Sequence, residues 1–248
     1  MKIIILAFLV FLSQKSFSQQ NTYTFNNRKF FNEIDIQKSF EAVKRSLGPT
    51  YSVTTVIYHK VVKHDTIVNY VSFQINKKSS EQETSDFKLV YKQDSTFLLL
   101  NKKLPNFKLK ELSGREISLD QLLGKPTLIN FWATYCGPCI AEMPQLSRLK
   151  EKYKDQMNFI SITENNAVTD NLKDFLKDKD FNFVVLENAE AYRRELKIDA
   201  IPKNLFLDKN GVLKYIEGNY PLESGGTPIN IDDEKNLFTK IIKELLEK

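Results

Sequence analysis

Cysteine is nearly absent from this chain, which has two in 248 residues, Cys136 and Cys139. Two cysteines cannot build the disulfide framework of a small exported module. The only histidines, His59 and His64, lie far upstream, so a four-ligand zinc site around the pair has no further cysteine or nearby histidine to draw on, and no metal or cofactor is expected. A purely structural disulfide is a poor alternative, because closing so short a loop removes little entropy from the unfolded chain. Long apolar runs are also scarce. Ile3 to Leu12 is ten residues, too short to cross a bilayer, and no stable membrane span is expected in the mature chain. A basic stripe with interleaved aromatics is missing as well, which argues against nucleic acid as a partner. The formal net charge of +5 includes Lys2 and Lys15, and beyond Leu100 acidic and basic residues balance.

The first 18 residues have the layout of a targeting segment. Lys2 supplies a positive start, the apolar run follows, and Ser16-Phe17-Ser18 offers small residues two apart, so a signal peptide cut after Ser18 and an exported, periplasmic protein are expected. An uncleaved anchor or a buried helix is the alternative for this stretch. The remainder is long enough for one large or two modest domains with their own cores.

Residues 19–100 read as a small α+β domain. Ile36, Phe40, Val43 and Leu47 recur at helical spacing over 34–47 and Gly48-Pro49 stops the helix. Two hairpins should follow, 51–62 with 66–75 and 87–91 with 96–100, all rich in β-branched and aromatic residues, with a polar stretch over 76–86 between them. No catalytic constellation is visible here, and both histidines read as solvated.

Residues 101–248 hold the chemistry. A short hairpin (107–110 and 116–118) and a helical turn (119–123) precede an apolar strand, 127–132. That strand empties into Ala133-Thr134-Tyr135 and then Cys136-Gly137-Pro138-Cys139. Ile140, Met143, Leu146, Leu149 and Tyr153 mark a helix beginning near Cys136. A cysteine at a helix N-terminus meets unpaired N–H groups and the positive end of the macrodipole, so its thiolate is stabilised and it becomes a nucleophile near neutral pH. Downstream the pattern gives a strand over 158–163, a helix over 169–177, a strand over 181–186, a helix over 189–196, a hairpin of 204–207 with 212–216, and a closing helix over 233–247.

Asn130-Phe131-Trp132-Ala133, the Cys136-Gly137-Pro138-Cys139 motif, Glu142 and Pro144 resemble the thioredoxin superfamily, and within it the TlpA/ResA-like branch of exported thiol-disulfide oxidoreductases. Leu104-Pro105-Asn106-Phe107, Gly114 to Leu119 and Ile201-Pro202 extend the match, which covers residues 101–248 and nothing earlier. The resemblance implies an α/β thioredoxin-like fold, a central mixed sheet flanked by helices, preceded by the small α+β domain. It implies that Cys136 attacks a substrate disulfide and Cys139 resolves the mixed disulfide, the two forming a redox-active disulfide. It implies a cis peptide before Pro202, leaving the Ile201 backbone free to pair with an extended substrate segment. Lys203 departs from the threonine often found after this proline.

Trp132 reads either as a substrate-side wall beside the cysteines or as core. Asn130 falls where thioredoxins place a buried aspartate, so that proton acceptor is missing. Glu142, one turn from Cys139 on neighbouring positions of a helix face, resembles the active-site acid of the ResA-like branch; the alternative is an exposed acid in an early helical turn.

Taken together, the expected function is an exported enzyme exchanging dithiol for disulfide, reducing protein disulfides with electrons from an upstream membrane or periplasmic donor. The Gly137-Pro138 dipeptide resembles the reducing thioredoxins rather than the oxidase DsbA. A peroxiredoxin-like thiol peroxidase is the alternative enzyme, although Thr134, two residues before Cys136, does not reproduce that family's Thr-x-x-Cys. A non-catalytic binding or chaperone module on a thioredoxin scaffold is the alternative outside catalysis.

Overall fold

A computed structural model describes residues 19–25, 29–78, 86–223 and 226–247. The expected signal peptide and most of the polar stretch 76–86 lie outside the described residues. The chain forms two compact units that meet in sequence at Gln93 and Asp94.

The first unit is a four-stranded sheet with one helix. Its elements are β1 (Gln20–Thr24), α1 (Glu33–Leu47), β2 (Tyr51–Lys63), β3 (Thr66–Lys77) and β4 (Leu89–Tyr91), with strand order β1-β3-β2-β4. The Asn32 side chain caps α1 by accepting from the Asp35 N–H, acids occupy its first turn, and Lys44 and Arg45 its last. Gly48, at φ 72°, ends it before Pro49. Ile36 and Phe40 are fully buried, and Phe40 meets Phe73 and Phe87 at ring separations of 6.4 and 5.6 Å.

Three expectations for residues 19–100 change. The 20–24 segment is a strand, parallel to β3, that sequence did not suggest. The second hairpin does not form: β4 pairs parallel with β2, and Ser95–Leu99 is a 3₁₀ turn. The cause is local, since the Asp94 side chain accepts from the Thr96 N–H and this cap competes with strand pairing. His59 is buried on β2, 5.3 Å from the Tyr70 ring, rather than solvated.

The second unit runs from Asp94. After the 3₁₀ turn come the hairpin β5 (Lys108–Lys110) with β6 (Glu116–Ser118), a 3₁₀ turn at Leu119–Leu122, β7 (Thr127–Trp132), α2 (Gly137–Tyr153), β8 (Asn158–Thr163), α3 (Leu172–Lys177), β9 (Val184–Leu186), α4 (Glu190–Glu195), β10 (Lys203–Leu207), β11 (Leu213–Glu217) and α5 (Leu237–Leu246). The sheet order is β11-β10-β7-β8-β9, with β7, β8 and β9 parallel and β10 antiparallel to both β7 and β11. As the middle strand, β7 is buried at all six residues, which is why it reads as an unbroken apolar run. One core joins Leu128, Leu146, Leu149, Phe206, Phe238 and Ile241. Asp208 accepts from the N–H groups of Asn210 and Val212 to turn the β10–β11 hairpin. Gly211 there has φ 77°, and a Cβ would come 3.1 Å from the Leu123 side chain.

Two helices start later than the periodicity suggests. α3 begins at Leu172 because Asn166 accepts from the N–H groups of Val168 and Thr169 in a turn of its own. α5 begins at Leu237 because Asn236 caps it, accepting from the Thr239 N–H.

Candidate active site

The site grows out of the C-terminal end of β7. Ala133 accepts from the Cys136 N–H, and the Thr134 N–H donates to Asn165 Oδ1 at 2.9 Å, which sets the short turn between β7 and α2. Cys136 then takes the N-cap position of α2, with its Sγ accepting from the Cys139 N–H at 3.3 Å. Pro138 occupies the first turn, where its missing N–H costs nothing. Cys136 and Cys139 are joined as a disulfide, with Cα atoms 5.3 Å apart; Cys136 is 7% exposed and Cys139 1%.

Trp132 lies in the apolar cluster that holds both cysteines, together with Met143, Leu172 and Val185, and is only 2% exposed. Its ring stacks on Phe175 at 6.0 Å and takes the edge of Phe181 at 6.2 Å. The Ile201–Pro202 peptide is cis, as the resemblance implies. Ile201 packs against the same cluster, so the loop carrying Pro202 and the disulfide come together from distant parts of the chain.

Glu142 sits one turn along α2 from Cys139 and is 4% exposed, so it is not an exposed helix acid. Its carboxylate accepts from three sides. Asn130 Nδ2 donates to Oε1 at 2.9 Å, Asn204 Nδ2 donates to the same oxygen at 3.3 Å, and the Tyr220 N–H donates to Oε2 at 2.6 Å. Asn130 Nδ2 also donates to Asn204 Oδ1 at 3.0 Å, and Asn204 Nδ2 to the Gly218 carbonyl at 2.6 Å. Burial pushes the Glu142 carboxyl up to about 7, with the hydrogen bonds from Tyr220, Asn204 and Asn130 pulling the other way. A carboxyl poised there can take or give a proton at neutral pH.

Asn130 thus does not hold a proton where thioredoxins hold one. It orients the acid that can. Asn204 and the 218–220 backbone were not singled out in the sequence, because nothing in spacing places residues 62 and 78 positions downstream on Glu142. Tyr220 is itself held in place from further along the chain. Asn236 Nδ2 donates to Tyr220 Oη at 2.5 Å and to the Ile229 carbonyl at 3.0 Å, and Tyr220 Oη donates to that carbonyl at 2.9 Å, which fixes Tyr220 where its N–H meets Glu142.

A second polar chain flanks the cysteines. Tyr135, 69% exposed and adjacent to Cys136, donates from Oη to Glu164 Oε1 at 2.6 Å. Glu164 Oε2 pairs with Arg193 Nη1 at 2.5 Å, and Arg193 Nε donates to the Ile198 carbonyl at 3.0 Å.

Residues 94–248 are similar in sequence and fold to known proteins. Residues 100–216 match the AhpC/TSA family. The thioredoxin-like protein YneN of Bacillus subtilis (strain 168) is 32% identical over 114 residues, covering 45% of this chain and 67% of YneN. The thiol-disulfide oxidoreductase ResA of Bacillus cereus (strain ZK / E33L) is 31% identical over 119 residues, covering 48% of this chain and 69% of ResA. Among solved structures, a Chlorobium tepidum protein assigned as the thiol:disulfide interchange protein DsbE superposes with TM-score 0.50 at 21% identity, covering 59% of this chain and 97% of that one. A Bacteroides thetaiotaomicron protein assigned as a protein disulfide isomerase gives TM-score 0.50 at 21% identity, covering 60% and 91%. These two establish the fold.

Proposed function

Because the chain belongs to the ResA/YneN-like thiol-disulfide oxidoreductases of the thioredoxin fold and is an enzyme of that class, we propose that it is an exported reductant of protein disulfides, acting through Cys136 and Cys139 with Glu142 as the proton-handling group. The observation that carries this reading is the buried Glu142 carboxyl, poised near neutrality one turn from Cys139. The leader-like residues 1–18 support export, and no helix among the described residues is long and apolar enough to cross a membrane.

In the reducing direction the cycle starts from the dithiol. The Cys136 thiolate, favoured by the N–H groups of the first α2 turn, attacks one sulfur of a substrate disulfide. A Cys136–substrate bond forms, the substrate S–S bond breaks, and the leaving sulfur takes a proton. Cys139 then gives its proton to Glu142 and attacks the Cys136 sulfur; the Cys136–Cys139 bond forms, the Cys136–substrate bond breaks, and the second substrate sulfur leaves as a thiolate that takes up the proton Glu142 gives back. The substrate has gained two electrons and two protons, and the enzyme is left as the Cys136–Cys139 disulfide, which an upstream membrane or periplasmic dithiol reduces again. The backbone at Ile201 and cis-Pro202, set against the cysteines, is the natural seat for an extended substrate segment.

The AhpC/TSA match keeps a thiol peroxidase as the second reading. Insulin turbidity driven by dithiothreitol, run beside hydroperoxide consumption, separates the two. Faster turbidity that Cys136→Ser abolishes supports the reductase; peroxide turnover without disulfide reduction would replace it, and neither activity would leave the scaffold reading.

A further inference from the structure

The loop that carries cis-Pro202 is held at both ends by one turn from far upstream. At its start, Lys197 has φ 54°, a backbone setting uncommon for a side chain of this size, and its carbonyl accepts from Thr96 Oγ1 at 3.0 Å. At its end, Lys203, the residue that departs from the usual threonine, is buried in β10 and its Nζ pairs with Asp94 Oδ2 at 2.5 Å. The side chains of this pair are only 9% and 26% exposed, so the pair is shielded from the solvent and salt that weaken surface ion pairs. Asp94 uses its other oxygen to accept from the Thr96 N–H at 3.0 Å, which makes the two clips one unit. Thr96 is fully buried, and Phe97 lies under Lys203 with its ring centroid 6.0 Å from Nζ.

We propose that Asp94, Thr96 and Lys203 are positioning residues for substrate: the 94–99 turn clamps the 197–203 loop at both ends and so presents the Ile201 and cis-Pro202 backbone to an extended protein segment. The clamp rests on the reading of that backbone as the substrate seat. The clamp bonds run from Asp94 and Thr96 to Lys203 and the Lys197 carbonyl, whereas the Glu142 bonds come from Asn130, Asn204 and Tyr220, so the clamp acts on substrate alignment and leaves the thiol chemistry to Cys136 and Cys139. A small disulfide, which needs no strand-like pairing, is therefore indifferent to it, and a protein disulfide is not.

The test uses the full chain with Thr96→Val, Asp94→Asn, Lys203→Met and the double variant Asp94→Asn/Lys203→Met. Thr96→Val removes one hydrogen bond and buries no unpaired charge, so it stays informative if a charge variant folds poorly. Initial rates of insulin reduction should show KM raised about three- to tenfold in each single variant, the size expected for one lost hydrogen bond or shielded pair. The double variant should be no worse than the worse single, because its two changes break one contact. Turnover of a small aromatic disulfide and the alkylation profile of Cys136 should stay within about twofold of wild type. Amide hydrogen exchange over 197–203 should speed up in every variant, a readout that needs no activity. Unchanged exchange in that segment together with unchanged insulin KM overturns the clamp, and so does an equal loss on both substrates. Failure of the underlying function looks different: wild type that does not reduce insulin, or Cys136→Ser that still does.

Discussion

Replacing Glu142 with glutamine changes one atom and removes one ionisation. Below pH 4.5 the buried acid is neutral in both the folded and the unfolded chain, so Glu142→Gln is a close match to wild type there. Between pH 4.5 and about 7 the folded protein keeps a proton that the unfolded chain has lost. The stability that goes with this proton is present below 4.5 and is lost as pH rises through 7. A rise of that size corresponds to about 3 kcal/mol, from roughly 1.4 kcal/mol per pH unit. Above pH 7 the charged wild type bears this cost and the glutamine does not, so the variant should gain on wild type by up to about 3 kcal/mol between pH 4.5 and 8, less whatever is lost where its NH2 faces the Asn130, Asn204 or Tyr220 donors. Catalysis should move the other way. Attack by Cys136 should be nearly unchanged, while resolution by Cys139 should slow roughly ten- to a hundredfold, the usual loss when a general base is removed. Urea titrations of the oxidised forms at pH 4.5 and 8 measure the first effect. Stopped-flow fluorescence measures the second, since Trp132 is the only tryptophan and shares a cluster with both cysteines. A pH-independent stability difference together with equal resolution rates from pH 5 to 9 would mean that Glu142 neither holds a raised pKa nor takes the Cys139 proton.

Further outcomes are expected from neighbouring contacts. Asn130→Leu removes a donor that favours the charged carboxylate, so the pH midpoint of resolution should shift upward; a downward shift would contradict the assigned hydrogen bond. Iodoacetamide labelling of the single-cysteine variants across pH should find Cys136 the more reactive thiol below neutrality, and faster labelling of Cys139 would reverse the roles. A fragment starting at Asp94 should fold and turn over a small aromatic disulfide alone, whereas one starting at Asn101 loses the Asp94–Lys203 pair and should melt earlier by circular dichroism, because Lys203 is left buried and unpaired.

Where structure is set by neighbours in sequence, it was legible. β7 spans the six residues that the apolar run marked, and α2 begins where Cys136-Gly137-Pro138 opens a helix. Competition from side chains was harder to read. Asp94 turned an apparent strand into a 3₁₀ turn, and Asn236 delayed α5 by four residues, each by a capping bond that β-branched or apolar spacing does not reveal. At the site, Cys136, Cys139 and Glu142 share one helix and could be related by spacing alone. Asn204 and the Tyr220 N–H reach Glu142 only because β10 lies beside β7, and the loop after β11 returns to the same acid. Likewise Lys203 looked like a departure at a substrate contact, and its partner Asp94 is 109 residues away.

In the proposed cycle Cys136 attacks and Cys139 resolves. The direct measurement is non-reducing electrophoresis with mass spectrometry of Cys139→Ser after mixing its reduced form with a disulfide-bonded protein substrate. Cys139→Ser should give a stable one-to-one adduct through Cys136 that dithiothreitol dissolves, and Cys136→Ser should give none. An adduct formed by Cys136→Ser through Cys139, with none from Cys139→Ser, would contradict the proposed cycle.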